Sequence, residues 1–156
     1  MADSYSKIFI HLILCVKRTS MRIVSEHEEE IHKYISGIIA AKNQKVLIIN
    51  GIPNHIHILL GMKPTCNLSD LVRDIKANSS RFINERNFTQ RKFEWQHGFG
   101  AFSVGHSQVD MVGAYIRNQK EHHKVKTFNE EYLEFLRDHQ IEYKEEYVFE
   151  EVPVDE

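Results

Sequence analysis

The sequence predicts an α+β fold, a ferredoxin-like split βαβ sandwich. Its antiparallel sheet carries helices on one face and is followed by C-terminal helices, one bearing Tyr115. Three observations predict it. Hydrophobic periodicity runs strand, helix, strand, strand, helix, strand, and then two more helices. Only Pro53-Asn54 separates the second strand from the third, which makes them antiparallel neighbours. No repeat, low-complexity stretch or Pro/Gly/Ser-rich linker divides the chain, so residues 1–156 are read as one domain.

Residues Lys7 to Val16 form a dense apolar, partly β-branched run, which predicts a central strand. Residues Ser25 to Ala41 carry Ile31, Tyr34, Ile35, Ile38 and Ile39 at helical spacing, with Ser25 as N-cap and acidic residues in the first turn. Lys45 to Ile52 and His55 to Met62 are the next two strands. Leu68 to Asn84 is an amphipathic helix burying Leu71, Val72, Ile75, Phe82 and Ile83, capped by Asn67 or Ser69. Glu94 to Val104 reads as a bent or bulged fourth strand, because Gly98, Gly100 and Ala101 interrupt its aromatic residues. Ser107 to His123 is a helix with Ser107 as cap, and Asn129 to His139 is another, capped by Thr127 or Asn129. Residues 141–156 form an acidic C-terminal arm.

The net charge of −2 hides an uneven distribution. From Lys63 to Glu94, seven basic residues face four acidic ones. From Arg117 to Lys126, four face one, whereas from Asn129 to Glu156 two basic residues face eleven acidic ones. The acidic tail thus masks a middle able to meet phosphates, although a solvated mixed-charge surface has the same counts. Cys15 and Cys66 form no CxxC, and no apolar run reaches membrane-spanning length. With no secretion signal at Met1 to Tyr5, a reducing cytoplasm is expected.

Three segments carry chemistry. In Asn54-His55-Ile56-His57-Ile58-Leu59-Leu60, strand alternation points His55 and His57 the same way and Ile56 and Ile58 into apolar packing. Two imidazoles on one face form half of a metal site, or the polar side of a half-buried strand. In Tyr115-Ile116-Arg117-Asn118-Gln119-Lys120-Glu121-His122-His123, helical spacing makes Tyr115 and Gln119 neighbours, with His122 close by. Tyr115 is either a nucleophile that needs help at a reference pKa of about 10 or an aromatic anchor. In Trp95-Gln96-His97-Gly98-Phe99-Gly100-Ala101-Phe102-Ser103, small residues between aromatics admit a base or simply fill a core.

Taken in order, these segments resemble the small single-tyrosine transposases of the insertion-sequence-200-like family, which are His-hydrophobic-His endonucleases. His11 before Leu-Ile-Leu and the late Ile141-Glu142-Tyr143 add to the likeness, which runs from about residue 5 to about residue 148. The resemblance implies a ferredoxin-like fold and a divalent metal, Mg2+ or Mn2+, on His55, His57 and Gln119. It implies that Tyr115 attacks single-stranded DNA, forming a 5′-phosphotyrosine and freeing a 3′-OH that later rejoins DNA. It further implies recognition of hairpins at the element ends. A homodimer is implied too, in which the tyrosine helix of one subunit can complete the other's histidine site, in a bacterial or archaeal cytoplasm close to the nucleoid. His97 stands where the family pattern leads one to expect Arg.

A site of two His and one Gln is neutral, so by ligand chemistry it leans toward manganese over magnesium. Lys17, Arg18, Arg73, Lys76, Arg81 and Arg117 are candidate phosphate contacts, or solvated charges. Two other functions compete: a hairpin-binding protein that does not transpose, and a metal hydrolase that activates water without a tyrosine link.

Overall fold

The computed structural model describes residues 3–144 and Val148. Four strands, β1 (Phe9–Cys15), β2 (Lys45–Ile52), β3 (His55–Gly61) and β4 (Gly100–Val104), form one antiparallel sheet in the order β2-β3-β1-β4. Helix α1 (Glu28–Ala41) links β1 to β2, and α2 (Leu68–Glu85) links β3 to β4. This is the split βαβ arrangement that the segment order predicts.

The two-residue period of the central strands builds the core. Leu12 and Leu14 of β1 lie opposite Ile58 and Ile56 of β3. They pack with Ile31, Ile35 and Ile39 of α1 and Leu71, Val72, Ile75 and Ile83 of α2. The intervening residues, His11 and Ile13 of β1 and His55, His57 and Leu59 of β3, face the other side. There α3 (Val109–Arg117), α4 (Gln119–His122) and α5 (Phe128–Asp138) follow the sheet. Ile116 packs on Leu59 and Val104, and Phe128 and Leu136 cluster with Ile13 and Phe102. Helices therefore cover both faces: the crossover helices one, the C-terminal helices the other. No helix among the described residues is long and apolar enough to cross a membrane.

Several boundaries differ from the sequence expectation for local reasons. Ser25 opens a short 3-10 turn and does not cap α1, whose first turn relies on Glu28, Glu29 and Glu30 near the helix dipole. Asn67 caps α2 by accepting from the Asp70 amide at 3.1 Å, and Thr127 caps α5 by accepting from Glu130 at 3.2 Å. The fourth strand starts at Gly100 instead of Glu94. Gly98 takes φ of +80° just before it, and only a lone bridge from Val16 to Trp95 precedes that bend. Trp95 turns into the core and donates from Nε1 to Ser79 Oγ at 2.9 Å. Residues 141–144 have no regular structure; the rest of the predicted arm, apart from Val148, lies outside the described residues.

The expected long helix from Ser107 to His123 is broken at Asn118, and Ser107 sits in a 3-10 turn without capping. The cause of the break comes from β2. Asn50 Nδ2 donates to the carbonyls of Ile116 and Arg117, both at 3.0 Å, satisfying helix-end acceptors. Lys120 Nζ donates to Asn50 Oδ1 at 2.9 Å.

Two stability predictions follow from this geometry. A Cβ on Gly51 would stand 2.2 Å from the His55 carbonyl oxygen, so Gly51→Ala is expected to cost about 1–3 kcal/mol in denaturant unfolding. An unchanged midpoint would contradict the tight β2–β3 approach. Asn50→Ala is expected to cost about 1–3 kcal/mol and to speed amide exchange at the α3–α4 joint; equal exchange in mutant and wild type would remove Asn50 as its clamp.

Candidate active site

The site grows from β3. His55 and His57 are fully buried on the face opposite the main core. A second imidazole layer fixes one of them: His11 Nε2 lies 2.7 Å from His57 Nδ1. Asn54 Oδ1 lies 2.7 Å from His55 Nδ1. Because a carboxamide oxygen only accepts, His55 donates from Nδ1 and keeps its lone pair at Nε2.

From the other side, the break at Asn118 lets α4 aim Gln119 and His123 at this pair. Gln119 Oε1 stands 3.1 Å from His55 Nε2 and 3.0 Å from His123 Nε2, and Gln119 Nε2 donates to Glu131 Oε2 at 3.1 Å. Glu131 is 1% exposed. Its Oε1 accepts from His57 Nε2 at 2.9 Å and lies 3.5 Å from His55 Nε2. Its Oε2 lies 3.2 Å from both His122 and His123 and accepts the Tyr115 hydroxyl.

The electrostatics favour lone pairs. Burial holds His11 down to about 3 and His55 down to about 4, and lowers His57 as well, so these imidazoles are neutral near pH 7. Burial alone would raise the Glu131 carboxyl, but the hydrogen bonds it accepts, from His57 first and then from Tyr115, outweigh it and keep Glu131 ionised. Burial, and then the bond to Glu131, push the Tyr115 hydroxyl well above the usual phenol range.

This donor set fits a divalent cation. The lone pair at His55 Nε2 faces two further acceptors, Gln119 Oε1 and Glu131 Oε1, with no proton between them. A positive ion resolves that repulsion. One ligand atom from each of His55, His57, His123 and Glu131 lies within 4.8 Å of the others. The structure thus brings together Tyr115, His55, His57 and Gln119 within one chain. The sequence reading missed His123 and Glu131. Glu131 makes the set anionic and not neutral, which moves its preference toward hard ions such as magnesium and manganese. A signal for Glu131 was present: it is the one charge on the stripe Phe128, Tyr132, Phe135 and Leu136.

The candidate phosphate contacts are spread more widely. Lys17, Arg73 and Lys76 line one groove with Lys92. Lys17 pairs with Glu94 at 3.4 Å, Arg73 with Asp70 at 3.3 Å, and Lys76 Nζ donates to the Gln96 carbonyl at 2.7 Å. Arg18 lies in a second hollow beside Arg22, Arg81 donates to Asn78 Oδ1, and Arg117 ends α3 near Gly113. His97 is exposed.

The chain is similar to known proteins over most of its length. The ISDra2 transposase TnpA of Deinococcus radiodurans is 24% identical over 116 residues, covering 71% of this chain and 83% of the relative. A crystallised protein of Deinococcus radiodurans assigned as a transposase superposes with a TM-score of 0.61 at 20% identity, over 76% of this chain and 95% of that one. A REP-associated tyrosine transposase bound to a REP hairpin gives 0.57 at 12% identity, over 76% and 70%. Both likenesses show the same fold. The model of the IS200-like transposases matches residues 4–119, which include both strand histidines, Tyr115 and Gln119 and stop short of His123 and Glu131, and the chain belongs to that family.

Proposed function

We propose that this chain cleaves and rejoins single-stranded DNA through a 5′-phosphotyrosine on Tyr115, with a divalent cation, Mg2+ or Mn2+, held by His55, His57 and Gln119. The observation that carries the reading is the shared carboxylate. Glu131 turns Oε1 to the imidazoles and Oε2 to the Tyr115 hydroxyl, so nucleophile and ligand set are one residue apart.

When bound, the cation supplies Lewis-acid polarisation of the scissile phosphate and positive charge beside the phenol. The chain does the rest. His11 and Asn54 hold the two strand imidazoles in orientation. Glu131 Oε2 takes the phenolic proton as the Tyr115 oxygen bonds to phosphorus. The bond from phosphorus to the 3′ oxygen breaks, and that oxygen leaves as a 3′-OH after taking a proton from solvent. The bond energy stays in the phosphotyrosine, and attack by a 3′-OH reverses the step.

The neighbour bound to a REP hairpin supports hairpins at element ends as the partner. Family resemblance supports a homodimer acting in the cytoplasm near the nucleoid. Tyr115 reaches the histidines of its own chain, which supports a cis arrangement of the site. For the DNA path, Lys17, Arg73 and Lys76 on their common groove are the contacts we favour; Arg18, Arg81 and Arg117 would serve outlying phosphates.

Covalent capture tests the reaction. With manganese and labelled single-stranded DNA from the flanks of the gene, wild type is expected to give a protease-sensitive shifted band on a denaturing gel. Tyr115→Phe should give none while retaining DNA binding. Cleavage without an adduct would support the hydrolase instead, and DNA binding with neither would support a non-transposing binder. Calorimetry tests the ligands: His55→Ala, His57→Ala and Gln119→Ala are each expected to weaken manganese binding at least about tenfold. Wild-type affinity in any folded variant would strike that residue from the set.

A further inference from the structure

Beside the catalytic cluster, on the same sheet face, lies a second built feature that the reaction does not use. Cys15 and Ile13 sit directly across the β1–β3 ladder from His55 and His57. They floor a cavity of about 210 Å³. Phe128, Tyr132, Tyr143 and Phe99 wall it. Phe128 is shared with the site: its ring stacks on His55 at 4.0 Å and 20° between planes.

Gln96, 9% exposed, is the buried carboxamide of the cavity lining, next to the exposed His97. Its backbone is held on both sides: its amide donates to the Cys15 carbonyl at 2.8 Å, and its carbonyl accepts from Lys76 Nζ at 2.7 Å. Gln96 Nε2 donates to the Val148 carbonyl at 2.9 Å. Its Oε1 is buried with no hydrogen-bond partner among the described residues. An orphaned buried acceptor costs stability unless something supplies a proton to it.

We infer that this cavity takes one unstacked nucleobase next to the scissile phosphate, gripped by the aromatic walls and read by Gln96 Oε1. The inference rests on the proposed DNA reaction, which it extends to base selection. The volume is below the ~300–1,000 Å³ of sites for drug-sized molecules, so it suits one ring system and not a whole nucleotide. Aromatic faces stack any base, whereas the amide oxygen demands a donor. A small ring with an exocyclic amino group, cytosine, meets both conditions best. Position agrees, because Phe128 both stacks on His55 and lines the cavity.

Binding in a Tyr115→Phe background, where no cleavage occurs, tests this. Fluorescence anisotropy with manganese would compare single-stranded 12-mers of dC and dT. The dC oligomer is expected to bind about three- to tenfold more tightly. Gln96→Met, which keeps the volume and removes the acceptor, should erase that preference. Phe99→Ala should weaken both oligomers and keep it. Equal affinities in the parent protein, or an unchanged preference in folded Gln96→Met, would overturn the inference. Covalent capture by Tyr115 without base preference would overturn it alone, and failure of both oligomers to bind would sink the DNA reading as well.

Discussion

The buried carboxylate of Glu131 is the constraint on which the remaining structure of this face depends. A charge with 1% exposure is tolerable only when paired and hydrogen-bonded, since an uncompensated one costs several kcal/mol. The partners come from three elements and a loop position: His55 and His57 from β3, Tyr115 from α3, Gln119 and His122 from α4, and His123 just beyond it. To satisfy one carboxylate, three C-terminal helices must dock on the sheet together. That docking seats Phe128 on His55 and sets the Phe135 ring edge-on to His11.

The same sheet serves two purposes because its side chains alternate. One face is aliphatic and binds α1 and α2. The other is an imidazole face, and its burial does chemical work, since a low-dielectric setting disfavours imidazolium and leaves lone pairs ready for a cation. The kink at Asn118 belongs to this design. Asn50 takes the carbonyls that a continuous helix would have used, and the chain re-enters helix one step later with Gln119 turned inward and 0% exposed.

Much of the fold was legible from periodicity. Strands at Lys45–Ile52 and near Phe9–Cys15 and His55–Gly61, and helices around Glu28–Ala41 and Leu68–Glu85, follow from local patterns that burial on one face enforces. One error falls where a distant residue intervenes: Asn50 breaks a helix that its own sequence would continue. The other is local, since Gly98 bends the chain and delays a strand that the aromatics suggested. The Asn118 break needs a side chain 68 positions away in sequence, and no window of local residues contains it. In the site, His55, His57, Tyr115 and Gln119 were visible because each pair has a fixed spacing in sequence, although the break at Asn118 puts Tyr115 on α3 and Gln119 on α4. Glu131 and His123 were not, because their role exists only once α4 and α5 fold back over β3.

The sequence alone therefore determined the alternating sheet, its crossover helices and the pieces of two half-sites: a pair of histidines on one strand face, and a tyrosine four residues before a glutamine. Local covalent geometry is enough for that, because the periods of strand and helix decide which neighbours share a side. Only the tertiary structure decided that the half-sites meet within one chain, that a carboxylate joins them, and that an aromatic cavity opens alongside. Those outcomes depend on how the C-terminal helices bury a charge against the sheet, an energy that no single segment contains.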